Sequence, residues 1–137
     1  MGFVDETIVV ALDVPDAYSL WLDYEHYPRF MRGIEQVEVI GYRRLRWTAR
    51  VCDAVVSWEV AVTDHIQDTR LRWRACDGRE TGDVDFQKVD AGSTLVHYQL
   101  EYEPELWGVD EHALRACLEH RVHDDLKEFK ALAESLV

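Results

Sequence analysis

From Glu35 to Glu103 apolar and polar residues alternate with a period of two. Leu45, Trp47, Ala49 and Val51 alternate with Arg46, Thr48 and Arg50; Trp58, Val60 and Val62 with Glu59 and Thr63; Leu71, Trp73 and Ala75 with Arg70, Arg72 and Arg74. The same alternation sets Val84 and Phe86 against Asp83, Asp85 and Gln87, and Val96, Tyr98, Leu100 and Tyr102 against His97, Gln99 and Glu101. Successive strand side chains point to opposite faces, so the pattern predicts a sheet with one buried and one wet face. Gly41–Arg43, Asp77-Gly78 and Asp90-Ala91-Gly92 suit antiparallel hairpin connections. Val4 to Leu12 adds a β-branched strand with Val4, Ile8, Val10 and Leu12 on one parity.

Asp13-Val14-Pro15-Asp16 reads as a helix start, since proline is tolerated in a first turn and acids there complement the helix dipole. The stripe Ala17, Leu20, Trp21 and Tyr24 predicts a short helix, with a second short segment near Tyr27–Met31 that Gly33 ends. After Pro104 the spacing changes to three or four: Leu114, Leu118, Val122, Leu126 (or Asp125), Phe129, Leu132, Ala133 and Leu136. A helix from about Asp110 to Leu136 spans nearly ~40 Å at 1.5 Å per residue and needs cover along its whole length. The expectation is one α+β domain over residues 1–137: a curved antiparallel sheet of six to seven strands around a long C-terminal helix, with two short helices after the first strand.

Composition narrows the function classes. Fifteen basic against 27 acidic residues leave a formal net charge of −12, which opposes general binding to nucleic acid or anionic membranes. No apolar run approaches the ~20 residues that cross a bilayer, and Met1 to Glu6 lacks a signal peptide's basic start, so no membrane insertion is expected. Cys52, Cys76 and Cys117 are odd in number and irregular in spacing, which argues against a disulfide framework and for a reduced, cytoplasmic protein.

Particular residues resemble a known family. Asp23-Tyr24-Glu25-His26-Tyr27-Pro28-Arg29-Phe30-Met31 is similar to the D-x-E-x-Y-P-x-F-M run of the START-like (SRPBCC) superfamily, in its small polyketide cyclase/dehydrase branch. Trp47, Trp58-Glu59 and Leu71-Arg72-Trp73-Arg74 resemble its tryptophan-bearing strands. Gly82-Asp83-Val84-Asp85-Phe86, Tyr102-Glu103-Pro104 and Asp125-Leu126-Lys127-Glu128-Phe129-Lys130 complete the likeness, from about Val4 to Leu136. The resemblance implies a helix-grip fold with a hydrophobic cavity between the sheet's concave face and the helix. It implies a pocket rather than one reaction, since such proteins include aromatase/cyclases and lipid or quinone carriers.

Within that frame Trp47, Trp58 and Trp73 read either as core or as a flat aromatic wall for a planar ligand. Phe30, Met31, Phe86, Tyr98, Tyr102, Leu118 and Val122 would share that wall. Tyr98 and Tyr102 bring hydroxyls to the inward set, with a backbone partner as the simpler reading. Asp64 continues the parity of Trp58 and Val62. Facing inward it would be a general base with a raised pKa; the alternative, an exposed turn residue, is preferred. Some aromatase/cyclases carry an arginine at the matching place, and this chain does not. Arg121, at the edge of the helix stripe, either snorkels outward, the preferred reading, or points inward to hold a carboxylate or enolate. The catalytic candidates are thus Asp64, Tyr98 and Arg121.

His120, His123 and Asp124 have metal-like helical spacing but fall opposite the apolar stripe, so a solvated face is expected and no metal. No phosphate loop, nucleophile elbow or dinucleotide fingerprint occurs, and no cofactor is expected. Arg46, Arg50, Arg70, Arg72 and Arg74 share the outward parity, with Arg43 and Arg44 beside them. They read as cross-strand partners of acids or as a dock for an acidic partner such as an acyl carrier protein, the first being preferred.

Two functions are carried forward. One is an enzyme that steers a hydrophobic, aromatic or polyketide-like molecule through intramolecular aldol condensation and dehydration. The other is a non-catalytic lipid- or quinone-binding carrier. Monomer and homodimer both stay open.

Overall fold

The computed structural model describes residues 1–23 and 34–136. Strand β1 (Gly2–Val10) buries Gly2, Val4 and Val10 and leads into helix α1 (Val14–Leu22). Asp13 caps that helix by accepting from the Asp16 N–H at 3.1 Å, and Pro15 occupies the first turn, where its missing donor costs nothing. Ala17, Tyr18 and Trp21 form its buried side. The second short helix expected near Tyr27–Met31 lies outside the described residues, as do Phe30 and Met31.

Strands β2 (Ile34–Gly41), β3 (Arg44–Val51), β4 (Ala54–Ile66), β5 (Arg70–Ala75), β6 (Glu80–Asp90) and β7 (Ser93–Tyr102) follow as consecutive hairpins. With β1 they make a seven-stranded antiparallel sheet in the order β1-β7-β6-β5-β4-β3-β2. The first strand therefore closes on the last, with Gly2 opposite Tyr102 and Val10 opposite Thr94. A single 3₁₀ turn (Pro104–Leu106) precedes helix α2 (Glu111–Glu134), which Asp110 caps through the Ala113 N–H at 3.1 Å. Leu114, Leu118, Val122, Leu126, Phe129 and Ala133 recur at helical spacing on the buried side of α2. The sheet curves round that side. Polar contacts fix the helix along β1: Lys130 Nζ donates to the Val9 carbonyl at 2.8 Å, and Glu134 accepts from the Ala11 N–H at 3.0 Å.

Two expectations need correction. The first concerns thiols. Cys52 and Cys117 form a disulfide, with their Cα atoms 5.8 Å apart, and Cys76 alone stays a free thiol. Their separation of 65 residues carries no sequence signal; folding brings the β3–β4 turn against α2. That turn is Cys52-Asp53, with φ of 50° and 68°, the left-handed pair of a two-residue type I′ hairpin built without glycine. The second concerns the inward parity that would make Asp64 a general base; its preferred outward reading stands, on a strand rather than in a turn. Val62 pairs with Trp73, but a bulge follows and Asp64 pairs with Arg72 on the outer face. One extra residue reverses the parity.

The outer arginines are answered across the ladder. Arg46 reaches Glu59 at 3.3 Å and Glu38 at 3.7 Å, Arg44 reaches Glu59 at 3.6 Å, and Arg50 reaches Glu35 at 3.5 Å. Arg70 meets Asp85 at 2.8 Å, and Arg72 meets Asp83 at 3.7 Å. Exposed pairs of this kind add only about 0.2–1 kcal/mol each, and they engage Arg44, Arg46, Arg50, Arg70 and Arg72 of the outer set.

The disulfide closes a long loop and removes conformations from the unfolded chain. Replacing Cys52 and Cys117 together by serine should lower stability by about 2–4 kcal/mol. Urea midpoints of the two proteins check this, and equal midpoints would show that the link contributes nothing.

Candidate functional site

The concave face carries a continuous row of rings. Trp47 on β3 and Trp58 on β4 are direct cross-strand partners, with centroids 5.9 Å apart. Trp73 on β5 lies 5.7 Å from Trp47 and 5.9 Å from Tyr98 on β7. Trp21 on α1 continues the row, 5.5 Å from Tyr98 and 4.7 Å from Phe129. At the other end Trp107, just past the 3₁₀ turn, meets Trp58 edge-on at 5.4 Å. Trp73 crosses β6 at Gly82, its cross-strand partner, where a Cβ would fall inside the indole. A glycine is needed there for space, not for backbone freedom.

Charged groups sit inside this aromatic lining. Glu80, the first residue of β6, is 1% exposed. Its carboxylate accepts from both terminal nitrogens of Arg121, at 2.8 and 3.2 Å, and from the Trp73 indole N–H at 3.5 Å. The Arg121 guanidinium also lies over the rings of Trp47 and Trp58, 5.6 and 5.9 Å from their centroids. One turn along α2, the Asp125 carboxyl is 1% exposed and accepts from the Tyr98 hydroxyl at 3.2 Å. Arg121 Nε is buried without a hydrogen bond among the described residues and stands 4.0 Å from Asp125 Oδ2.

Burial governs the protonation of this cluster. It pushes the Asp125 carboxyl up to about 8, against the opposing pull of Arg121 and the Tyr98 hydrogen bond. The protonated acid is therefore the main form at neutral pH. Burial likewise drives the Tyr98 hydroxyl well above its ordinary value. For Arg121 burial opposes the charge, but Glu80 together with Tyr98 and Asp125 raises the pKa on balance, and the guanidinium stays protonated.

The structure brings Tyr98 and Arg121 together and leaves Asp64 outside. Arg121 does not snorkel; it turns inward because Glu80 waits opposite. Trp47, Trp58, Trp73, Phe86, Tyr102, Leu118 and Val122 are all buried. Phe86 packs edge-on against Tyr18 and Trp21, and Tyr102 is the cross-strand neighbour of Glu80 with its ring over Gly2. Of these residues Val122 also lines a groove of about 330 Å³ between β1 and α2, with Phe3, Val4, Asp5, Glu6, Arg115 and Glu119. His123 faces outward and meets Glu6 at 3.0 Å, as the solvated-face reading requires. Glu80 and Asp125 were not among the sequence candidates. Glu80 shares parity with Gly82, Val84 and Phe86, and Asp125 interrupts an apolar stripe one turn after Arg121. Both signals are acids on a buried face.

Such a seven-stranded sheet gripping one long helix is a helix-grip arrangement. The model of the polyketide cyclase/dehydrase and lipid transport family matches residues 10–130, and the chain belongs to that family. It is 27% identical over 136 residues to an uncharacterised 17.2 kDa protein of Streptomyces lincolnensis, covering 98% of this chain and 91% of that one. In fold it is similar to a START superfamily protein from Mycobacterium smegmatis, with a TM-score of 0.86 and 18% identity over 98% of this chain and 99% of that one. It is also similar to the Zhui aromatase/cyclase from Streptomyces sp. R1128, with a TM-score of 0.81 and 18% identity over 97% and 93% of the two chains. Among the described residues no helix is long and apolar enough to cross a membrane.

The raised Asp125 pKa fixes a stability profile. Between about pH 4 and 8 the folded state keeps a proton that the unfolded state releases, so stability falls as pH rises, by of order 1 kcal/mol per pH unit. Asp125→Asn copies the protonated acid. It should match wild type near pH 4 and melt progressively higher than wild type as the pH rises to 8. Parallel melting curves for the two proteins across that range would disprove the assignment.

Proposed function

We propose that the protein binds a hydrophobic, aromatic or polyketide-like molecule between the sheet and α2, and catalyses its cyclisation by intramolecular aldol condensation and dehydration. One observation carries this reading: a buried carboxyl, protonated at neutral pH, stands between a tyrosine hydroxyl and a guanidinium inside an aromatic lining. A core built only for stability gains little from such a group, since burying ionisable side chains costs more than burying apolar ones. Family membership and the fold shared with an aromatase/cyclase support it.

On this reading Trp47, Trp58, Trp73 and Phe86 with Tyr102, Leu118 and Val122 hold the ligand. The Arg121 Nε–H, which makes no hydrogen bond among the described residues, and the Asp125 carboxyl address a ketone oxygen. When a water molecule takes a proton from the carbon next to one ketone and that carbon attacks a second ketone, Asp125 delivers its proton to the new alkoxide and regains one from the protonated water. The new hydroxyl and a second hydrogen from the attacking carbon then leave together as water. Tyr98 orients Asp125 through its hydroxyl. The substrate would arrive free or on an acyl carrier protein, although the paired outer arginines do not mark out where such a protein docks.

A second reading, a non-catalytic lipid or quinone carrier, draws on the pairing of Arg121 with Glu80, which is what a static anchor looks like. Both readings expect a planar aromatic such as an anthraquinone to quench tryptophan fluorescence saturably at micromolar concentration. Trp73→Ala should weaken that response while the protein stays folded. Turnover separates them: with a synthetic poly-β-ketone the enzyme gives cyclised, dehydrated product. Asp125→Asn should then lower the rate by about 10²–10⁴-fold, and the wild-type rate should fall above about pH 8. Saturable binding without turnover would leave the carrier.

A further inference from the structure

The interior cluster carries a specific charge balance. Arg121 contributes one positive charge, and the Glu80 carboxylate takes it up through both terminal nitrogens. The Trp73 indole N–H adds a third donor to the same carboxylate. Neither Tyr98 nor Asp125 adds charge at neutral pH, because burial holds both in their protonated forms. Arg79, the nearby cation whose guanidinium lies over the rings of Trp58 and Trp107, is engaged by Asp77 at 2.9 Å. What remains for a ligand is one N–H of Arg121 and the hydroxyl-bearing groups, with no uncompensated cation.

The geometry points to Glu80 as a specificity-determining residue that makes the site accept neutral oxygen ligands such as ketones, quinones and phenols and reject carboxylates. A ketone oxygen accepts the Arg121 N–H without bringing a charge into the interior. A carboxylate at the same place would stand beside Glu80 and Asp125, and its lost hydration would go unrepaid because Arg121 is already neutralised. Without Glu80 the same guanidinium would keep only the Asp125 carboxyl, 4.0 Å from its Nε and outside hydrogen-bond reach, and a ligand carboxylate in bidentate contact would become its preferred partner. Glu80 acts through Arg121 and need not touch the ligand. The inference rests on the cavity reading given under Proposed function and deepens it.

Two probes with the same ring system separate the possibilities: 2-acetylnaphthalene, a methyl ketone, and 2-naphthoate, its carboxylate counterpart. The full chain, titrated at pH 7 by tryptophan quenching, should bind the ketone at least about tenfold more tightly than the carboxylate. Glu80→Gln should shift that ratio toward the carboxylate by about tenfold or more. A purely structural Glu80 would instead weaken both probes in proportion, and that result overturns the proposal, as does equal binding of both by wild type. If Glu80→Gln is too unstable to titrate, 2-naphthoate should raise its melting temperature more than 2-acetylnaphthalene does. The double variant Glu80→Gln/Arg121→Gln, which buries no charge, should lose that difference; a difference that persists there assigns the effect elsewhere and overturns the proposal. If neither naphthalene probe nor an anthraquinone binds wild type, the cavity reading falls, and this inference falls with it. Binding of both naphthalenes at a ratio that Glu80→Gln leaves unchanged removes this inference alone.

Discussion

A guanidinium inside an aromatic lining has to find its countercharge within the protein, and the pairing of Arg121 with Glu80 meets that requirement. Removing water from either group costs several kcal/mol, by order of magnitude, and only close, bidentate contact between them makes the arrangement tolerable. Much of the interior follows from this pair. It joins the start of β6 to the middle of α2, and so helps set where the helix lies against the sheet. It places Arg121 over Trp47 and Trp58 and leaves its remaining N–H toward Asp125. Had Arg121 snorkelled to solvent, Asp125 would be a carboxyl in an apolar stripe with only Tyr98 for company.

The rings and the charges are one construction. Trp73 serves both, since its indole packs at an angle against Trp47 and Tyr98 while its N–H donates to Glu80. That double duty requires the indole to cross β6 at Gly82, where no side chain larger than hydrogen fits. Tyr98 joins the layers in the same way, with its ring in the row and its hydroxyl on Asp125. A site assembled from the sheet and a single helix is thereby held from both sides by groups that do not depend on loops.

Most of the fold is legible in the sequence because its information is local. Strand parity, the change from period two to three-to-four after Pro104, and the acids at both helix starts each report on a few neighbouring residues. The site is less legible because its decisive facts are pairings over distance. Nothing next to Arg121 says which way its side chain turns; the answer is Glu80, forty-one positions earlier on another element. The inward parity that Asp64 continues fails for the opposite reason, since a one-residue bulge overturns a pattern that otherwise holds along the strand. The disulfide belongs with Arg121, because two cysteines 65 residues apart announce nothing until a hairpin tip meets a helix.

The order of strands also sets a schedule. Strands β2 to β7 are joined as successive hairpins, so each finds its neighbour soon after leaving the ribosome. Strand β1 has no such neighbour, since Gly2 pairs with Tyr102. At translation rates of roughly 5–20 residues per second, the first strand waits on the order of 5–20 s for its partner to be synthesised. Helix α2, which packs along the same strand, emerges later still. A nascent chain therefore carries Val4 and Val10 without their sheet partners until β7 is made, and this strand is exposed to misassociation in that interval.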